Sequence, residues 1–176
     1  EKTALDFSQR TGFPVVVVRP AWVYGPRCPR TAKLMRTISK GRFPFFGEGR
    51  NMRHPVYISD AVRGLELCAG AEGVNGEVFI IAGEKAVPVY ELVEVISTEL
   101  GVNPPKLHLP IALGLLGGYS LEVAFKLIGK APPFSRRSVD FFLKHNAYDI
   151  NKAKRMLGYS PQVDLRSGIQ KTIQSK

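Results

Sequence analysis

With two cysteines and three histidines among 176 residues, the chain is poor in the side chains that most often build self-contained chemistry. Cys28 and Cys68 are too few for a disulfide framework, so a reduced, cytoplasmic compartment is expected. His54, His108 and His145 have no metal-ligand spacing and no paired cysteines beside them, which predicts structural or surface histidines and no metal site. There is no Gly-x-Gly-x-x-Gly, no P-loop and no Gly-x-Ser-x-Gly, so neither a phosphate cradle of those types nor a nucleophile elbow is encoded. The stretch between Lys106 and Glu122 has 15 residues free of Asp, Glu, Lys and Arg, but Pro110 interrupts it and it falls short of the ~18 to 20 that a membrane span needs.

What is present centres on Val15 to Pro26, VVVVRPAWVYGP. Four valines in a row suit a strand buried on both faces, as in a parallel sheet. Pro20 and Gly25-Pro26 then break the chain, which places Arg19 to Tyr24 beyond the carboxyl end of that strand, where open α/β sheets bind ligands. Charge is also concentrated. Arg27, Arg30, Lys33, Arg36, Lys40, Arg42, Arg50 and Arg53 face one acid, Glu48, so seven of the ten net positive charges lie in residues 27 to 53. Such an excess points to an anionic ligand, a nucleic-acid surface or an acidic partner, and a simply solvated helix face explains it as well.

Periodicity predicts helices over 1–10, 31–40, 89–100, 135–144, 151–157 and 165–173, and strands at 15–18 and 77–82 with short extended runs at 56–58 and 106–109. Ser59, or Asp60 one residue on, is the expected cap of a helix running to Ala69. Residues 111–128 form a helix apolar almost all round, with Glu122 and Lys126 as an i,i+4 pair and with Gly114, Gly117 and Gly118 able to break it. Burial is the expectation for such a helix, with an oligomer surface or peripheral contact with lipid as the alternatives.

Four segments occur in an order and spacing that resemble one family: RPAWVYGP (19–26), GEGRNMRHPVYISDAVRG (47–64), EVFIIAGE (77–84) and YDINKAKRMLGYSPQVDLRSGI (148–169). Together they look like the C-terminal half of an extended short-chain dehydrogenase/reductase, the group of nucleotide-sugar epimerases and dehydratases, hydroxysteroid dehydrogenases and flavonol-type reductases. The resemblance implies an α/β fold: a partial Rossmann-type parallel sheet, from residues 1–28 and 77–87, interleaved with a small, mainly helical substrate-binding domain, from 29–76 and 88–176. It implies NAD or NADP as cofactor. It also implies that the dinucleotide turn and the Tyr-x-x-x-Lys catalytic pair lie upstream of Glu1, so no catalytic residue is expected within the chain. Pro20, Ala21, Trp22 and Val23 are then expected to line the nicotinamide. Arg53 is expected to hold substrate diphosphate with Phe45 and Phe46 beside the base, and Arg27 and Tyr24 complete the candidate substrate set. Core packing accounts for the two phenylalanines equally well, and a helix-dipole role accounts for Asp60.

The functional expectation is the substrate-binding portion of a sugar-nucleotide epimerase- or dehydratase-like oxidoreductase acting on a small molecule. The stretch APPFSRRSVDFFLKHNAYDI (131–150) departs from the nucleotide-sugar pattern and resembles the hydroxysteroid and flavonol branches, which keeps an apolar alcohol or ketone open as substrate. A non-catalytic nucleic-acid or interaction module is the third reading, disfavoured by the lack of interleaved exposed aromatics on the basic helix. An unpaired apolar strand edge makes association with another copy the expectation.

Overall fold

The computed structural model describes residues 1–132 and 134–175. In chain order they form α1 (Lys2–Thr11), β1 (Val17–Pro20), β2 (Trp22–Tyr24), α2 (Pro29–Ser39), β3 (Phe45–Phe46), β4 (Met52–Arg53), β5 (Pro55–Tyr57) and α3 (Ile58–Gly70). Then follow β6 (Val78–Ile81), β7 (Val87–Pro88), α4 (Val89–Glu99), β8 (His108–Leu109), α5 (Ile111–Leu127), α6 (Arg136–Leu143), α7 (Asn151–Leu157) and α8 (Leu165–Gln174). The chain is of the α/β class and divides into two compact units: Glu1–Cys28 with His54–Ala86 and Ala147–Lys176, and Pro29–Arg53 with Val87–Asn146. That partition groups residues 54–76 and 147–176 with the first strands, whereas the functional division expected above draws its line elsewhere.

In the first unit β1 pairs in parallel with β6, and β2 pairs in parallel with β5. The apolar stretch begins at Val15, but pairing starts at Val17 and runs to Pro20 opposite Ile81, so the proline is the strand's last residue. It is tolerated because the next donor, Ala21 N–H, carries the ladder on to the Ile81 carbonyl at 2.8 Å. Phe79 and Ile81 alternate inward from β6 onto Cys68, Ile150, Ala153, Leu157 and Tyr159, which form one core with α7. Gly64 lets α3 approach that core: a Cβ there would stand 2.6 Å from the Ile81 Cγ2.

The helix start at α3 differs from expectation. Ser59 and Asp60 lie inside the first turn, and the capping position is Tyr57, which supplies no side-chain cap. Asp60 is directed elsewhere, as described below.

In the second unit β3 pairs in parallel with β8, and β4 pairs antiparallel with β7. Phe43, Phe45, Phe46 and Phe142 stack edge to face or tilted at 5.4–6.4 Å, with His108 flat on Phe45 at 4.9 Å. α5 is one continuous helix, because its glycines are its packing stripe. A Cβ at Gly114 would meet the Phe46 ring at 2.6 Å, and one at Gly118 would meet the Arg136 backbone nitrogen at 2.6 Å. Two further expectations for this helix are corrected. Glu122 pairs with Arg136 at 2.9 Å and not with Lys126, because α6 brings the guanidinium against it. The helix is also not buried all round, since Leu116 is 64% and Leu127 84% exposed. Among the described residues no helix is long and apolar enough to cross a membrane.

Candidate functional site

The expected site residues fall in both units, and each group has its own geometry. In the first unit, Pro20 is exposed and Ala21, Trp22 and Val23 are half-buried at the carboxyl end of β1. Their backbone is partly committed: Ala21 N–H goes to Ile81, and Trp22 N–H to the His54 carbonyl at 3.3 Å. What the segment offers a flat ring is therefore mainly apolar surface.

Tyr24 ends this extended run inside the unit's core, 3% exposed. Its hydroxyl donates to the Leu165 carbonyl at 3.4 Å, its ring meets Tyr57 edge-on at 5.6 Å, and α8 presses on it at Gly168, where there is no room for a Cβ. Burial raises the phenol well above its ordinary value, so it stays protonated. Arg27 is exposed and adopts φ 62°, uncommon for a residue with a side chain, in the turn between β2 and α2. It borders a shallow depression with Tyr57, Ile58, Ser59 and Val62 at the start of α3.

Two buried polar groups in this unit, Asp60 and His54, have partners far away in the chain. The Asp60 carboxylate, 2% exposed, accepts from the backbone N–H groups of Gln162 and Val163 at 3.0 and 2.9 Å and from Arg63 at 3.0 Å. Arg63 also donates to the Ser160 carbonyl at 2.7 Å, so the pair ties the segment after α7 to the first turn of α3. His54 is held between two backbone groups: its Nε2 donates to the Gly83 carbonyl at 2.8 Å, and its Nδ1 accepts the Tyr148 N–H at 3.2 Å. That pairing assigns the Nε2–H tautomer.

Burial lowers the His54 pKa, against the opposing effects of the Gly83 carbonyl and Glu84. The sign of the pH effect follows. Above the unfolded value of about 6.5 neither state binds the proton; as pH falls through it the unfolded chain is protonated first, and stability drops until the folded imidazole titrates. Urea midpoints measured from pH 8 to pH 5 are expected to fall on the acid side of about 6.5, with a shallower fall in His54→Gln. Identical profiles would contradict the buried neutral imidazole.

In the second unit, Arg53 is 9% exposed. Its Nη2 donates to the Asp140 and Phe141 carbonyls at 3.1 and 2.7 Å, and its guanidinium carbon lies 4.6 Å from the centre of the Phe141 ring. With the Asn146 amide turned to satisfy its neighbours, Nη1 donates to the Asn146 oxygen. Asn51, two residues earlier on the same extended segment, donates to the Phe141 and Lys144 carbonyls at 2.8 and 3.1 Å. Both side chains thus serve the last turn of α6, where positive charge is favoured, although the Asp140 carbonyl also accepts the Lys144 N–H at 3.1 Å. Phe45 and Phe46 are buried in the aromatic cluster of the same unit. Among the described residues no group of His, Cys, Asp and Glu is arranged to hold a metal ion.

Comparison with known proteins gives a consistent picture. The profile of the NAD dependent epimerase/dehydratase family matches residues 1–82. The chain is 28% identical over 192 residues to the 3beta-hydroxysteroid-dehydrogenase/decarboxylase isoform 1 of Arabidopsis thaliana, covering 99% of this chain and 43% of that protein. It is 28% identical over 177 residues to the UDP-glucose 4-epimerase of Vibrio cholerae, covering 99% and 50%. The crystal structure of the UDP-glucose 4-epimerase of Thermotoga maritima superposes on 99% of the chain and 50% of its own, with a TM-score of 0.72 at 24% identity, and so shares the Rossmann-like fold. The chain spans about half the length of the curated relatives it matches.

Proposed function

We propose that the chain, whose residues 1–82 match the NAD dependent epimerase/dehydratase family and whose relatives include a hydroxysteroid dehydrogenase and a UDP-glucose 4-epimerase, supplies the substrate-binding portion of a sugar-nucleotide epimerase- or dehydratase-like oxidoreductase that uses NAD or NADP. The observation that carries this reading is the position of Pro20 to Val23, at the carboxyl end of a parallel strand pair, where α/β sheets receive ligands. The residues fit one wall of a nicotinamide: they are exposed or half-buried, mainly apolar, and held rigidly by the Ala21 and Trp22 hydrogen bonds. When bound, the cofactor supplies the hydride chemistry. In this chain the residues' part is to orient it and exclude water, and the acid/base group is assigned to none of them. Residues 1–28 and 77–87 belong to the cofactor side in this reading, and Arg53, with Phe45 and Phe46 of the same unit, is assigned to substrate.

The test uses the complete protein. Titration with NADH and NADPH is expected to show binding of one of them. Ala21→Trp, which fills the wall, is expected to weaken it by about tenfold or more, while Ala21→Gly stays within a few-fold. Undiminished binding by Ala21→Trp, at an unchanged melting temperature, would reject the assignment.

A second reading rests on Arg53. Its guanidinium serves α6 carbonyls, which supports an apolar alcohol or ketone as substrate, as the name of the Arabidopsis relative suggests. Turnover of UDP-glucose against that of a 3β-hydroxysteroid by the complete protein separates the two.

A further inference from the structure

α5 packs inward along Gly114 and Gly118 and leaves the opposite face to solvent. On that face Leu113, Leu116, Val123 and Leu127 follow one another at helical spacing, all exposed, and Leu107 and Ile128 extend the apolar surface beyond both ends. Charge identifies what would cover it. Residues 106–137 contain Lys106, Lys126, Lys130, Arg136 and Arg137 against one acid, Glu122, and that carboxylate is already occupied by Arg136. Lys106, Lys126, Lys130 and Arg137 are exposed and join no ion pair among the described residues. A second copy of this chain would bring the same positive charge to the same face, whereas an anionic surface neutralises it. A helix of 17 residues tied down along one side cannot cross a bilayer, but it can lie in the interface plane.

We propose that the outward face of α5 docks on an anionic lipid bilayer, with Leu113, Leu116, Val123 and Leu127 entering the boundary between headgroups and acyl chains and Lys106, Lys126, Lys130 and Arg137 among the lipid phosphates. Docking of this kind draws on apolar burial and on surface potential together, so both should be measurable separately.

The experiment is co-sedimentation of the complete protein with vesicles of phosphatidylcholine, alone or mixed equally with phosphatidylglycerol. The protein is expected to pellet with the mixed vesicles and much less with phosphatidylcholine alone, and to be released by salt. Leu116→Asp with Leu127→Asp is expected to lower the partition coefficient by about tenfold or more without changing the melting temperature, both residues being exposed. Lys126→Glu with Lys130→Glu is expected to lower it and to flatten the salt dependence, and it stands as the test if the leucine variant fails to fold. Failure to pellet with the mixed vesicles, equal pelleting with neutral vesicles, or undiminished pelleting of both variants would overturn the proposal. So would a dimer in analytical ultracentrifugation that the leucine substitutions abolish, which would assign the face to a second copy.

Discussion

Arg53→Ala is expected to lower the unfolding free energy by about 3 kcal/mol, read as a shift in the urea midpoint. Hydrogen bonds from a charged donor contribute roughly 1.5 to 3 kcal/mol each when one partner is removed. Arg53 makes two of them to the end of α6, a third to Asn146, and stacks on Phe141. Truncation takes one donor from each of the Asp140 and Phe141 carbonyls, leaving the Lys144 N–H on the first and the Asn51 amide on the second. Arg53→Lys keeps the charge but replaces a planar fork by a single ammonium, so an intermediate loss is expected. A loss below about 1 kcal/mol in Arg53→Ala would mean that solvent satisfies those carbonyls at no cost. The same variants examine the diphosphate reading. Below the unfolding transition, weaker UDP-glucose binding by the complete Arg53→Lys protein would give the guanidinium a ligand as well as a helix end. Unchanged binding would leave it to the helix alone.

Asp60→Ala is expected to cost a similar amount, about 3 kcal/mol, and to act on a different region. The carboxylate is buried and accepts two backbone N–H groups and a guanidinium; removing it leaves the Gln162 and Val163 donors without their partner at about 1 to 3 kcal/mol each. Arg63 keeps its bond to Ser160 and, being partly exposed, recovers some hydration. Hydrogen exchange should therefore rise first at Gln162 and Val163, ahead of global unfolding. Asp60→Asn retains one acceptor and is expected to fall between. Unchanged exchange at those two amides in Asp60→Ala would refute the clamp.

These two residues also show where reading the chain in one dimension stops. Arg53 and Asp60 are conspicuous in the sequence, yet their partners lie 87 and 102 residues away, and no local pattern encodes such a separation. The resemblance implies a ligand role for Arg53 and local charge a dipole role for Asp60; the fold adds the end of α6 as a partner of the first and the loop after α7 as a partner of the second, which also stays in the first turn of α3. Asn51 was missed for the same reason, although its spacing of two from Arg53 on an extended segment puts both on one face. For His54 the expectation is a structural or surface role, and the Gly83 carbonyl and Tyr148 N–H on its two nitrogens make it structural.

Local physics carried further than long-range pairing. Periodicity placed the helices to within a few residues, because an amphipathic stripe and a glycine such as Gly12 or Gly158 in the left-handed region act on their immediate neighbours. The valine run and EVFIIA were legible as strands, and the order of motifs made the family recognisable. Composition could not say which side of α5 is covered, since that helix is apolar almost all round. The three-dimensional packing settled it by setting Gly114 on Phe46 and Gly118 on α6, the positions where a missing Cβ permits close approach, and so turned Leu116 and Leu127 outward.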